Sequence, residues 1–127
     1  MTLQDYIARL DEKLQELADV TDVVTVQREI DANLGIGFVK GRIAFVGGSI
    51  LDFSEQLPVE RTKFRFHYMD AGNNLIVRWD SAPHHRNLRT FPFHLHTPQG
   101  VEEHPAITLL EVLDEIKTMI KLEESQP

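Results

Sequence analysis

Between Phe64 and Asp80 the chain alternates apolar and polar residues along two short runs joined by Asp70-Ala71-Gly72-Asn73. In an extended backbone Phe64, Phe66 and Tyr68 share one face, and Arg65, His67 and Met69 share the other. On the second run Leu75, Val77 and Trp79 lie together, opposite Ile76, Arg78 and Asp80. A period of two fits a half-buried strand and not a helix. The turn chemistry between the runs makes them a hairpin. The aromatic and aliphatic face then needs a cover, and the chain must supply it elsewhere.

Residues 2–18 supply part of that cover, because Leu3, Ile7, Leu10, Leu14 and Leu17 recur at helical spacing. Thr2 is the expected N-cap, with Asp5 three positions later in a capping box. Residues 108–122 supply the rest. Thr108 with Glu111 reads as a second capping box, Ile107 with Val112 as a hydrophobic staple, and Leu109, Leu113, Ile116 and Ile120 as the buried stripe. Lys117 and Lys121 suit the negative end of that helix.

Val23–Ile30 predicts a first strand, and Asp31–Gly37 a turn. Phe38–Phe45 and Ser49–Gln56 predict a hairpin around Gly47-Gly48, which Pro58 ends. Lys63–Met69 and Asn74–Asp80 bound the second hairpin. The expected fold is α+β: an antiparallel sheet of about five strands, over residues 23–80, with the N- and C-terminal helices packed on one face. Residues 1–127 read as a single domain. Ser81–Ala106 is left as a long loop with four prolines (Pro83, Pro92, Pro98, Pro105), with a short extended piece expected within Arg89–His96. Loops of that length in a small domain usually carry function.

The chain has no cysteine, which excludes disulfides, Cys-based metal sites and thiol nucleophiles. Asp5, Arg9, Asp11, Glu12 and Lys13 break up the first twenty residues, so no signal-peptide stretch is read there. No apolar run reaches the roughly 20 residues of a membrane helix. The expectation is a cytoplasmic chain without membrane contact. A net charge of −7 argues against broad binding to a polyanion. That charge is uneven: residues 60–100 hold six bases against three acids, whereas residues 101–127 hold seven acids against two bases. The basic centre also contains five of the six histidines, namely His67, His84, His85, His94 and His96. There is no Gly-rich phosphate loop, no Gly-x-Ser-x-Gly and no His-Glu-x-x-His.

Three readings of this centre stand side by side. In the first, His67, His84, His85, His94 and His96 are acid–base groups, Asp80 orients one of them, and Arg65 and Arg78 bind phosphate. This is the toolkit of metal-independent RNA cleavage: one imidazole takes the 2′-hydroxyl proton, another protonates the leaving oxygen, and a guanidinium stabilises the phosphorane. It needs no cofactor and makes the chain a ribonuclease. In the second, His94 and His96 hold zinc or another transition metal together with Asp80 and His84 or His85, since His94 and His96 point the same way in an extended segment. The chain is then a non-catalytic binding or regulatory domain. In the third, the loop histidines only anchor backbone carbonyls while Phe91 and Phe93 pack inward. His104, isolated before Pro105, is read in this last way.

Three runs carry a family resemblance: Arg65-Phe66-His67-Tyr68-Met69-Asp70, Leu75-Ile76-Val77-Arg78-Trp79-Asp80-Ser81-Ala82-Pro83-His84-His85 and Thr90-Phe91-Pro92-Phe93-His94-Leu95-His96. Together they resemble the TumE family of small prokaryotic toxins, and Leu109-Leu110-Glu111-Val112-Leu113 echoes that family's last helix. The resemblance spans about residues 38–116, and its Ala82-Pro83-His84-His85 element is its most specific part. Ser81 stands where the family usually has Asn, Phe93 where a first His is expected, and Leu95 where Lys is expected. The resemblance implies a toxin whose partner is a cognate antitoxin. RNA is the target inferred from the histidines, and exposed strand edges permit a homodimer.

Overall fold

The computed structural model describes residues 1–58, 60 and 63–126. Helix α1 spans Leu3–Glu16 and opens on the expected capping box, with the Thr2 side chain accepting from the Asp5 N–H and the Asp5 carboxylate accepting from the Thr2 N–H. Seven strands follow: β1 (Thr21–Asp31), β2 (Ile36–Phe45), β3 (Ile50–Leu57), β4 (Phe64–Met69), β5 (Leu75–Asp80), β6 (His94–Thr97) and β7 (Gly100–Glu103). Helix α2, Leu109–Glu124, closes the order. Each strand pairs antiparallel with its neighbours in sequence, so the sheet is one meander from β1 to β7.

The sheet thus has seven strands where about five were expected. The two extra strands lie inside 81–106, which is not the unpaired loop the prolines suggest. Its second half folds into the β6–β7 hairpin, with Thr97 opposite Gly100 across Pro98-Gln99. Pro at the second position of a four-residue turn favours a β-turn, and each strand is only four residues long. The β2–β3 turn is as expected: Gly47 and Gly48 both sit at φ +96°, a region that a Cβ disfavours.

Both helices lie on one face of the sheet. Val39, Ile43, Leu51, Phe53, Phe66, Tyr68, Val77 and Trp79 meet Leu10, Leu17, Leu109, Val112, Leu113, Ile116 and Ile120 in one core. Tyr6 and Lys13 are buried there as well, which the leucine stripe alone does not reveal. Lys13 reaches Asp114 of α2, and Lys121 reaches Asp19 just after α1, so ion pairs link the two ends of the chain.

The α2 cap is also as expected: the Glu111 N–H donates to the Thr108 hydroxyl, and the Glu111 carboxylate accepts from the Thr108 N–H. A Thr108→Ala substitution is expected to cost about 1 kcal/mol, read as a lower urea midpoint with an unchanged slope.

Candidate functional site

The face turned away from the helices is polar. The register aligns two rows across it. One row runs Arg42, Asp52, His67, Arg78, His96 from β2 to β6; the next runs Lys40, Ser54, Arg65, Asp80, His94. Arg65 therefore lies opposite Asp80, and His67 opposite Arg78. Trp79, Phe66 and Phe53 lie between these rows and point the other way, into the core. The alternation that buries the aromatic residues is what brings the basic and imidazole groups together.

His94 and His96 are adjacent on the same face of β6, with ring centroids 4.7 Å apart. The loop after β5 brings in a third ring. His85 sits at φ +59°, a left-handed conformation uncommon for a side chain of its size. Its ring lies 5.2 Å from that of His94 and 5.7 Å from that of His96. One nitrogen from each of the three falls within 4.8 Å of the others. His84 stays exposed on the loop, 6.4 Å ring to ring from His85. Among the described residues, then, the clustered set is His85, His94 and His96, and the fourfold grouping of Asp80, His84, His94 and His96 does not form.

His94 is 2% exposed. Its Nδ1 lies 2.9 Å from the Pro92 carbonyl, which can only accept, so Nδ1 carries the proton. Its Nε2 is buried without a hydrogen-bond partner and lies 3.6 Å from Asp80 Oδ1, too far for a hydrogen bond. Asp80 Oδ1 accepts the Ala82 N–H at 2.6 Å, and Oδ2 lies 3.4 Å from Arg78 Nε. Asp80 therefore braces the loop and Arg78, and does not hydrogen-bond a histidine.

Burial pushes the His67 imidazole below its ordinary pKa, and the neighbouring Arg65 and Arg78 push it the same way against Asp52. Burial likewise lowers His96, with Arg78 and His94 adding to it. Arg42 grips Asp52 through two bonds of 2.9 Å, which lowers the Asp52 carboxyl and spends most of its charge locally. No carboxylate among the described residues lies within ion-pair distance of Arg65 or Lys40. Both line an open depression of about 360 Å³ together with Ser54 and Arg42. A further depression, about 420 Å³, lies at the far end of the β1–β2 hairpin and has only Glu29 and Asp31 as titratable lining.

Lys40, Arg42 and Asp52 belong to this face but were not singled out from sequence. The signal was there: Lys40 and Arg42 alternate with Val39 and Ile43, and Asp52 and Ser54 alternate with Leu51 and Phe53. His104 lies apart from the cluster, its Nδ1 2.8 Å from the Pro105 carbonyl. Among the described residues no helix is long and apolar enough to cross a membrane.

A family model described as Toxin TumE matches residues 7–122. Comparison with curated proteins and with solved structures gives no match.

Proposed function

Because the chain belongs to the TumE toxin family, we propose that it is the toxin of a toxin–antitoxin pair and acts on RNA by metal-independent acid–base cleavage. One observation carries this reading. His67, Arg78 and His96 stand side by side in a single row of the open face. Adjacent strands are about 4.8 Å apart, so the two histidines flank Arg78 at a backbone separation of roughly 10 Å. That gap accommodates a phosphodiester resting on the guanidinium.

The positions support a reaction with two imidazoles. One imidazole removes the proton of the 2′-hydroxyl, whose oxygen attacks phosphorus. The other protonates the departing 5′-oxygen as its bond to phosphorus breaks, leaving a 2′,3′-cyclic phosphate. Burial and neighbouring cations lower both imidazoles, so His67 suits the base in its neutral form and His96 acts as the acid in the fraction that is protonated. Arg78 faces the charge that develops on the phosphorane. Arg65 and Lys40, which have no acidic partner among the described residues, lie one row over and suit flanking phosphates. The antitoxin reads as an acidic partner, since the surface it must mask is the basic centre of an acidic chain.

Purified protein with cellular RNA and EDTA is expected to give cleavage products ending in cyclic phosphate. Intact RNA under those conditions would overturn the cleavage reading. Expression in a bacterium is expected to arrest growth, and co-expression of the neighbouring gene to relieve the arrest. Unaffected growth would remove the toxin role for this chain.

A further inference from the structure

We propose that His85, His94 and His96 bind one divalent transition-metal ion of the zinc class, and that the bound ion switches off RNA cleavage by occupying His96. The binding stands on geometry alone. The switching-off rests on the cleavage reading given above.

Three imidazole nitrogens within 4.8 Å of one another are already close to a ligand set. Zinc–nitrogen bonds are about 2.0–2.1 Å, so the nitrogens must close in by roughly an ångström. His94 and His96 are fixed on β6, and His85 is an exposed loop side chain free to make that adjustment. The donors are all imidazole, which suits zinc, copper or nickel and not magnesium or calcium. Three protein ligands leave a fourth position for water.

His94 supplies the second, independent observation. Its Nδ1–H is held by the Pro92 carbonyl, which leaves Nε2 as the ring nitrogen with a free lone pair, in a ring packed against those of His85 and His96. That is the outer-shell arrangement by which metal-binding histidines are oriented. Yet Nε2 is buried, has no hydrogen-bond partner, and faces Asp80 Oδ1 at 3.6 Å. Two electron-rich atoms opposed in a dry site favour a cation near both. Arg78 offsets the Asp80 charge only in part, because its Nε is 3.4 Å away and itself lacks a hydrogen bond.

His96 belongs to both arrangements. It is the end of the row with Arg78 and His67, and it is one corner of the imidazole trio. Once its lone pair is on a metal ion, it can neither accept nor deliver a proton. Metal binding and proton transfer are therefore exclusive at this residue, and the metal level sets the active fraction.

The test uses the full chain without a polyhistidine tag, titrated calorimetrically with zinc, with cobalt absorption as a second readout. RNA cleavage is followed in EDTA and with one equivalent of zinc. One ion per chain is expected, with a cobalt spectrum of four-coordinate intensity. His85→Asn retains a residue tolerant of positive φ and is expected to weaken zinc binding at least tenfold, as is His96→Gln. Unchanged Trp79 fluorescence certifies that each variant is folded. With one equivalent of zinc and no EDTA, cleavage is expected to run at least tenfold below its rate in EDTA, and the His85→Asn variant to need at least tenfold more zinc for the same loss. Absence of stoichiometric binding, or binding indifferent to both substitutions, overturns the site while EDTA-resistant cleavage leaves the RNA reading standing. Zinc bound with no cleavage under any condition keeps the site and overturns the switch together with the RNA reading. Cleavage that rises with zinc overturns the switch.

Discussion

Replacing His67 with alanine is expected to slow RNA cleavage by about 10²–10⁴-fold, the usual worth of a positioned general acid or base. The fold is expected to survive. His67 is only half-buried, on the face away from the helices, and its Nδ1 has no hydrogen bond to lose. An Arg78→Lys variant separates charge from shape, because lysine keeps the cation but not the planar fork that meets two phosphate oxygens. The pH profile gives a readout that a structural role would not move. Burial and the two arginines hold His67 below its ordinary value, so the imidazole stays neutral into mildly acidic solution. If His67 is the base, the acid limb of the profile falls below pH 6.5, the ordinary imidazole value. Full activity in folded His67→Ala would remove the row of His67, Arg78 and His96 as the site of cleavage.

The stability of the fold is expected to drop as pH rises through 7, and Glu55 is the reason. Glu55 is on the helix-facing side of β3 and is 4% exposed. Its carboxyl accepts from the Tyr6 hydroxyl at 2.6 Å and from the Leu109 N–H, at the start of α2, at 3.0 Å. Those two bonds favour the charged form, but burial outweighs them and raises the group to about 7. The folded state thus holds a proton that the unfolded chain releases near its usual pKa of 4.5. The stabilising contribution is fully present below 4.5 and is lost as pH rises through about 7. Its size is on the order of 3 kcal/mol.

Glu55→Gln should abolish this dependence. The glutamine oxygen can take the Leu109 N–H, and its amide can donate to the Tyr6 oxygen. Urea midpoints at pH 5 and pH 8.5 for the two proteins provide the measurement, and their difference isolates Glu55 from the histidines. Parallel midpoints for both would show that Glu55 ionises in the fold as it does in water.

The fold was legible where one pattern governed many residues. The period of two in Phe64–Asp80 fixes the pairing of β4 and β5, and it sets Arg65, His67, Arg78 and Asp80 on one face. Both capping boxes were readable because Thr2 and Thr108 each precede an acid by three positions. The β6–β7 hairpin was not, because four residues are too few for a period to register and prolines surround it. Along β6, moreover, only Leu95 marks the core side, while His94 is buried on the opposite face for local reasons.

The site was legible to the level of its strand residues. The spacing of His94 and His96 sets their rings side by side, and the loop histidine that joins them is His85, at φ +59°. Nothing in Pro83-His84-His85-Arg86 encodes that turn visibly. The burial of Glu55 was missed for a different reason. A lone acid at a core position of an alternating strand looks like an error in the pattern until the start of α2 is seen to meet it.

The meander has a consequence for the chain as it is made. Each strand pairs only with its neighbour in sequence, so the sheet can zip hairpin by hairpin as residues emerge. By Thr97 all of His67, Arg78, His85, His94 and His96 have been synthesised, and by Glu103 the last strand is present. The cover over Leu51, Phe66 and Trp79 is still half missing at that point, because α2 begins only at Leu109. A nascent chain therefore completes its polar face before it can hide its apolar one. Between Glu103 and Ile120 the finished sheet is therefore left with its apolar face half covered.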